Sequence, residues 1–248
     1  LVRDGVPAFV SLVPVALVTY VATWAGWFAS DDAYLRQWGR DNPAGFAFLP
    51  DALRSLGKYH ADIWAFHTTL TSEHPYEAHP WSWIVQGRPT SFFYESPARG
   101  EQGCLADSCS QAITSLGNPV VWWGGTLALA VLLFMWLLRR DWRAGAVLSG
   151  VAAGWLPWFY YAASDDRTMY AFYSVAFAPF VVLGLTYVLG LLLGPRGAPP
   201  QRRLVGAVAA GSVVVAAVVM LAWFWPVHVA EVIPYSQWRA RMWFSSWI

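Results

Sequence analysis

The chain has 248 residues, of which 57% are apolar and 12% charged, with a formal net charge of +1. A soluble domain carries about 25% charged residues, so the composition points to a membrane protein. The near-zero net charge argues against a nucleic-acid binder, which needs a concentrated basic patch. Trp is abundant, at 17 residues, and favours the membrane–water interface, where the ring is buried and the N–H stays wet.

The chain starts at Leu1, without a signal-peptide pattern. Leu1-Val2-Arg3-Asp4 reads as a loop leading into a helix, and the chain is expected to be part of a longer protein with an N-terminal portion before Leu1. Five apolar runs follow, at 6–28, 120–138, 144–163, 169–193 and 204–225. Each reaches the roughly 20 residues needed to cross a bilayer. Helices are expected, because backbone groups in lipid must be satisfied within the segment; Pro157 and Pro179 inside these runs are tolerated in membrane helices. The expected fold is an all-α integral membrane protein of five transmembrane helices, with one large extracytoplasmic loop containing an amphipathic helix. Four regions follow: a first helix (1–28), a loop domain (29–119), a four-helix region (120–225) and a C-terminal tail (226–248).

Charge sets the orientation. Arg139-Arg140-Asp141-Trp142-Arg143 joins the second and third runs, and Arg196, Arg202 and Arg203 lie between the fourth and fifth. The positive-inside rule makes both connections cytoplasmic, so the long loop, the Ser164-Asp165-Asp166-Arg167 turn and the tail face outside. Within the loop, Leu53, Leu56, His60, Ile63, Trp64, His67 and Leu70 recur at three- and four-residue steps, which predicts an amphipathic helix over 51–70 lying along the membrane surface. The stretch 96–109 reads as irregular, and Gly117-Asn118-Pro119 as a turn. Cys104 and Cys109 suit a small disulfide ring in an oxidising compartment, or two free thiols.

The densest chemistry is His74-Pro75-Tyr76-Glu77-Ala78-His79-Pro80-Trp81-Ser82-Trp83, followed by Arg88-Pro89. A loop with this much site chemistry against a membrane scaffold usually binds or transforms something; the bland alternative is an interfacial aromatic belt with solvated charges. His60 and His67 share a helix face but make at most half of a metal site, and isolated histidines there more often make ordinary hydrogen bonds; no metal is expected. Arg88 and Arg167 carry the planar fork that matches phosphate oxygens, against the alternative of headgroup snorkelling. Asp165-Asp166-Arg167 suits a sugar, a hydroxyl acceptor or a cation, or is simply a solvated turn. Tyr170, Phe172 and Tyr173 follow it, able to stack on a sugar face. There is no Gly-rich nucleotide loop and no nucleophile elbow.

The run Leu70-Thr71-Ser72-Glu73-His74-Pro75-Tyr76 through Trp83-Ile84, then Arg88, resembles the loop pattern of the protein O-mannosyltransferase family in its C-terminal membrane half. Ala78 stands where that pattern has Ser, and Ile84 where it has Pro. Gly117-Asn118-Pro119 with Trp122-Trp123, Gly154-Trp155-Leu156-Pro157-Trp158, and Arg167 through Tyr173 with Pro179 resemble further family segments in the same order. The resemblance covers nearly the whole chain and is to the bacterial, actinobacterial-type form, since the loop has no room for the β-trefoil insert of eukaryotic members. It implies a GT-C-like enzyme of the cell membrane. Such an enzyme moves mannose from polyprenyl-phosphate mannose to Ser/Thr hydroxyls of secreted proteins on the outer face, by inverting displacement. No cofactor beyond the lipid-linked donor is implied, and the secretion translocon is a candidate partner. The implied catalytic Asp-Glu pair is expected upstream of Leu1, so no catalytic residue is named here. His74, Tyr76, Glu77, Arg88, Asp165, Arg167 and Tyr170 are the expected donor- and acceptor-binding residues. Two other readings stay open: another polyprenyl-phosphate-sugar transferase of the same architecture, or a non-catalytic membrane partner or transporter subunit.

Overall fold

The apolar runs become helices, but two of them are broken. The computed structural model describes residues 2–43, 48–164 and 167–248, and the chain divides into two units, Leu1–Leu70 and Thr71–Ile248.

In the first unit, α1 (Val2–Thr23) is a single apolar helix, so Val2 to Asp4 are helical rather than loop. A turn at Trp24 leads to α2 (Ala25–Ala29), followed by α3 (Trp38–Asp41) and α4 (Asp51–Thr69). The last is the expected amphipathic helix. It docks on α3 by backbone contact: a Cβ at Gly39 would stand 2.2 Å from the Asp51 carbonyl oxygen, so glycine is required there. The fully buried Ser55 hydroxyl accepts the Gly39 N–H at 2.8 Å, and Arg54 donates to the Asn42 carbonyl at 2.8 Å.

The second unit is built on a helix bundle. Its first elements are α5 (Pro80–Trp83), β1 (Ser91–Glu95) and β2 (Cys109–Thr114). Then comes α6 (Pro119–Arg139), whose start is well specified. The Asn118 side chain accepts the Val120 and Val121 N–H groups with Pro119 at the first helical position, a cap worth about 1 kcal/mol. Asn118 Nδ2 also donates to the Ala217 carbonyl at 2.7 Å. The run over 144–163 is not one helix. It splits at Leu156 into α7 (Trp142–Trp155) and α8 (Pro157–Ser164), because Pro157 lacks the N–H that would continue the ladder and instead starts a new helix. The run over 169–193 splits likewise into a 3-10 turn (Ala171–Ala176) and α9 (Ala178–Leu193), with Pro179 in the first turn. α10 (Pro200–Phe224) is continuous. α6 packs on α7, α9 and α10, and α7 on α9, with Gly125 of α6 against Val181 and Gly150 of α7 against Phe180 at close approach, as small residues allow between membrane helices.

The all-α expectation is corrected by a small sheet. β3 (Ile233–Pro234) joins β1 and β2 in the antiparallel order β1-β2-β3. Ser91 pairs with Thr114 and Glu95 with Gln111, with a bulge between Ser91 and Phe93; Ser110 pairs with Ile233. The tail continues into α11 (Tyr235–Arg241). A buried cluster including Leu116, Phe224, Ile233, Trp238 and Trp247 fastens sheet and tail to the outset of α6 and the end of α10. Among the described residues three helices, Arg3–Thr23, Pro119–Arg139 and Pro200–Val227, are long and apolar enough to cross a membrane. The protein is a mostly helical membrane protein.

Candidate functional site

The His74–Arg88 segment is irregular backbone, and its polar groups need partners. The bundle and the C-terminal tail supply them largely through indoles. Trp155 Nε1 donates to the Pro80 carbonyl at 2.9 Å, Trp122 Nε1 to Trp83 at 2.8 Å, Trp123 Nε1 to Val85 at 3.0 Å and Trp247 Nε1 to Gln86 at 2.8 Å. Thr126 donates to Ile84 at 2.7 Å. Within the segment, Trp83 Nε1 donates to Ala78 at 2.8 Å. The Ala78 N–H donates to the Met169 carbonyl at 2.8 Å, and the Thr168 hydroxyl to Ser72. Ala78, Trp83, Met169, Ala171 and Phe177 share one buried cluster. Both regions singled out from sequence, 74–88 and 167–173, are therefore held together on one end of the bundle.

Their side chains form a continuous band. The Arg88 guanidinium lies over the Tyr76 ring, 5.5 Å from its centre. Tyr76 is 6.0 Å from the His74 ring, and its N–H donates to His74 Nδ1 at 3.1 Å. His74 meets Tyr170 edge-to-face at 5.3 Å, and Tyr170 stacks on Phe172 at 5.2 Å. Tyr170 is 6.3 Å from Tyr173. Arg167 ends the band inside an aromatic cage, 5.5 Å from Trp158, 5.9 Å from Tyr161 and 5.6 Å from Tyr173, with Nη2 donating to the Tyr173 hydroxyl at 3.4 Å. Trp158 and Tyr173 stack at 4.4 Å.

The structure thus brings together His74, Tyr76, Arg88, Arg167 and Tyr170. Glu77 is exposed beside them, its N–H donating to the His74 carbonyl. Asp165 lies outside the described residues. Arg88 is half-buried; its Nε donates to Pro75 at 2.6 Å and Nη1 to Ser246 at 3.3 Å, so Nη2 is the edge that these two bonds do not use. Cys104 and Cys109 are joined in a disulfide. His60, in the first unit, has both ring nitrogens engaged, by the Leu56 carbonyl at 2.7 Å and by the Tyr20 hydroxyl. No group of three metal-ligating side chains gathers among the described residues. Sequence reasoning did not single out the indole clamps, Gln86, or the Trp158–Tyr173 pair caging Arg167. Tryptophans at the ends of apolar runs are the available signal, and composition alone makes them interface residues.

Residues 52–247 match the family model described as the C-terminal four-transmembrane region of protein O-mannosyltransferase. The chain belongs to the protein O-mannosyltransferase family. It is 38% identical over 254 residues to a polyprenol-phosphate-mannose–protein mannosyltransferase of Mycobacterium tuberculosis, covering 99% of this chain and 47% of that protein. Proteins of the same name from Mycolicibacterium smegmatis and Corynebacterium glutamicum are 38% and 31% identical, again over 99% of this chain and 48% of each relative. The chain therefore spans about half the length of these mannosyltransferases. The fold is similar to that of an S. cerevisiae protein O-mannosyltransferase complex solved bound to the sugar donor, with a TM-score of 0.59 and 18% identity over 84% of this chain and 27% of that one.

Proposed function

We propose that this chain is the C-terminal portion of a membrane enzyme that moves mannose from polyprenyl-phosphate mannose to Ser/Thr hydroxyls of secreted proteins. The relatives named for this donor support the reading. The observation that carries it is the band running from Arg88 through Tyr76, His74 and Tyr170 to Arg167. It sets a guanidinium at each end of an aromatic face beside an apolar bundle. An aromatic face suits the C–H side of a pyranose, and guanidinium forks suit a phosphate.

In the reaction the acceptor oxygen attacks the anomeric carbon as the bond to the phosphate oxygen breaks, and the leaving polyprenyl phosphate gains charge. Arg88 Nη2 and Arg167 stabilise that charge, an interaction that strengthens in the transition state. His74 and the Tyr170 hydroxyl orient the sugar or phosphate oxygens between them, and Glu77 and Asp165 complete the set of donor- and acceptor-binding residues. The base that takes the hydroxyl proton belongs to the half of the family's length that this chain does not span. No metal or cofactor is assigned a step.

For topology we assign five crossings of the cell membrane. α1, α6 and α10 cross as single helices, and α7–α8 and residues 171–193 cross as broken passes. Arg139, Arg140, Arg143, Arg196, Arg202 and Arg203 lie in the two cytoplasmic connections, and the clamped segment, sheet and tail face outward. Secreted acceptors then meet the site as they leave the translocon.

The test is transfer by the full-length protein from purified polyprenyl-phosphate mannose, offered a Ser/Thr peptide or a lipid acceptor. Mannosylated peptide supports the reading. Transfer to lipid alone makes this a different polyprenyl-phosphate-sugar transferase, and transfer to neither assigns a non-catalytic role.

A further inference from the structure

Gln86 is the least satisfied polar residue of the second unit. It is 6% exposed, and neither Nε2 nor Oε1 has a hydrogen-bond partner among the described residues. A buried amide left unpaired forfeits the hydration it would have in water. Its backbone is unusual too, with φ at +57°, a left-handed conformation that a non-glycine residue adopts at a cost. The surroundings hold that conformation: the Trp247 indole donates to the Gln86 carbonyl at 2.8 Å, and the Gln86 N–H donates to the Trp83 carbonyl at 3.1 Å. Glycine at 117 leaves space for the amide, since a Cβ there would stand 3.0 Å from Oε1.

The cavity that Gln86 borders, of about 260 Å³, is lined by Trp83, Trp122 and Phe172 together with Ser115 and Ser174. Ser115 Oγ accepts the Thr90 N–H at 2.8 Å, so its own proton is available to a guest. Phe172 also stacks on Tyr170, which makes it a shared wall between this cavity and the aromatic band. Drug-sized ligands use cavities of about 300–1,000 Å³; this one suits a single ring.

We propose that the Gln86 cavity is a subsite for one pyranose ring, distinct from the arginine-ended band. Three aromatic walls match the apolar face of a pyranose. One amide offering both a donor and an acceptor, flanked by hydroxyls, matches neighbouring sugar hydroxyls, each of which both donates and accepts. Burial strengthens those bonds and makes their omission costly. The identity of the ring as mannose rests on the proposed function. Its source is either the sugar of the lipid-linked donor or a mannose already carried by an acceptor.

The experiment uses the full-length protein in detergent and records saturation-transfer NMR with methyl α-D-mannopyranoside. The wild type should give a signal that falls at least fivefold in Gln86→Met, which keeps size and removes both amide atoms. It should fall likewise in Ser174→Val, which removes a lining hydroxyl and narrows the cavity at a second position of the chain. Competition by polyprenyl-phosphate mannose of the part of the wild-type signal that Gln86→Met loses assigns the ring to the donor, and persistence of that part assigns it to the acceptor side. Absence of signal in the wild type, or an equal signal in both variants with a raised thermal midpoint for Gln86→Met, overturns the proposal and leaves a hydrated structural cavity. Because the readout is binding rather than transfer, failure of the proposed reaction does not by itself remove the subsite.

Discussion

Trp155 Nε1 donates its proton to the Pro80 carbonyl at 2.9 Å, joining α7 to the segment that follows the His74-Pro75-Tyr76 motif. Pro80 is buried, so its carbonyl has no water to fall back on. Trp155→Phe keeps most of the ring volume and removes the donor. It should cost about 1–3 kcal/mol, seen as a lowered thermal midpoint of the full-length protein in detergent. An unchanged midpoint would mean the clamp is dispensable.

Tyr76 serves Arg88 through its ring face rather than its hydroxyl, since the guanidinium sits 5.5 Å above the ring. Tyr76→Phe should therefore behave like wild type in transfer. Tyr76→Leu should lose about 0.5–1 kcal/mol of cation–π interaction, which appears as a two- to fivefold higher KM for the lipid-linked donor. Equal kinetics for the two variants would contradict this role for the ring.

Acid should weaken the second unit at His228, just past α10. Burial pushes its imidazole below the ordinary 6.5, opposed in part by a hydrogen bond to the Thr114 backbone. With the folded value depressed, the unfolded chain takes the proton more readily. The contribution is fully present above pH 6.5 and is lost as pH falls through the depressed value. The thermal midpoint should drop between pH 7.5 and 5.5, and by less in His228→Gln.

The Cys104–Cys109 disulfide closes a short loop at the tip of the β1–β2 hairpin, with a sequence separation of 5. By the loop-entropy estimate such a ring contributes about 2 kcal/mol. A Cys104→Ser/Cys109→Ser variant should lose that much stability while keeping transfer activity, because the bond lies outside the Arg88–Arg167 band. Loss of activity with stability unchanged would place the hairpin tip in the site.

Much of this was readable from local signals. The three- and four-residue spacing of Leu56, His60 and Ile63 predicts a helix over 51–70, and α4 runs Asp51–Thr69. Asn118-Pro119 marks the start of α6, because both the cap and the proline act within one turn. Hydropathy missed the breaks at Leu156 and Phe177, since it weighs apolarity and ignores the N–H that Pro157 and Pro179 lack. The sheet was hidden for a different reason. Ser91-Phe92-Phe93-Tyr94-Glu95 has no clean alternation, and the β2–β3 pairing joins Ser110 to Ile233 across most of the unit. The band itself was half legible. His74, Tyr76, Arg88, Arg167 and Tyr170 stood out by chemistry, whereas the Trp155 and Trp122 clamps depend on which carbonyls the folded loop leaves unpaired. Ala78 and Ile84, the departures from the family pattern, sit in or against the buried cluster, with Ala78 4% exposed.

The most direct test of the donor-phosphate role is kcat/KM for polyprenyl-phosphate mannose in the full-length protein carrying Arg88→Gln or Arg167→Gln. Charge-assisted bonds contribute about 1.5–3 kcal/mol, so each variant should fall roughly 10- to 150-fold, measured at a temperature below the midpoints of both variants, because Arg88 also serves the Pro75 and Ser246 carbonyls and Arg167 packs against three rings. Wild-type kcat/KM in both variants would contradict the account.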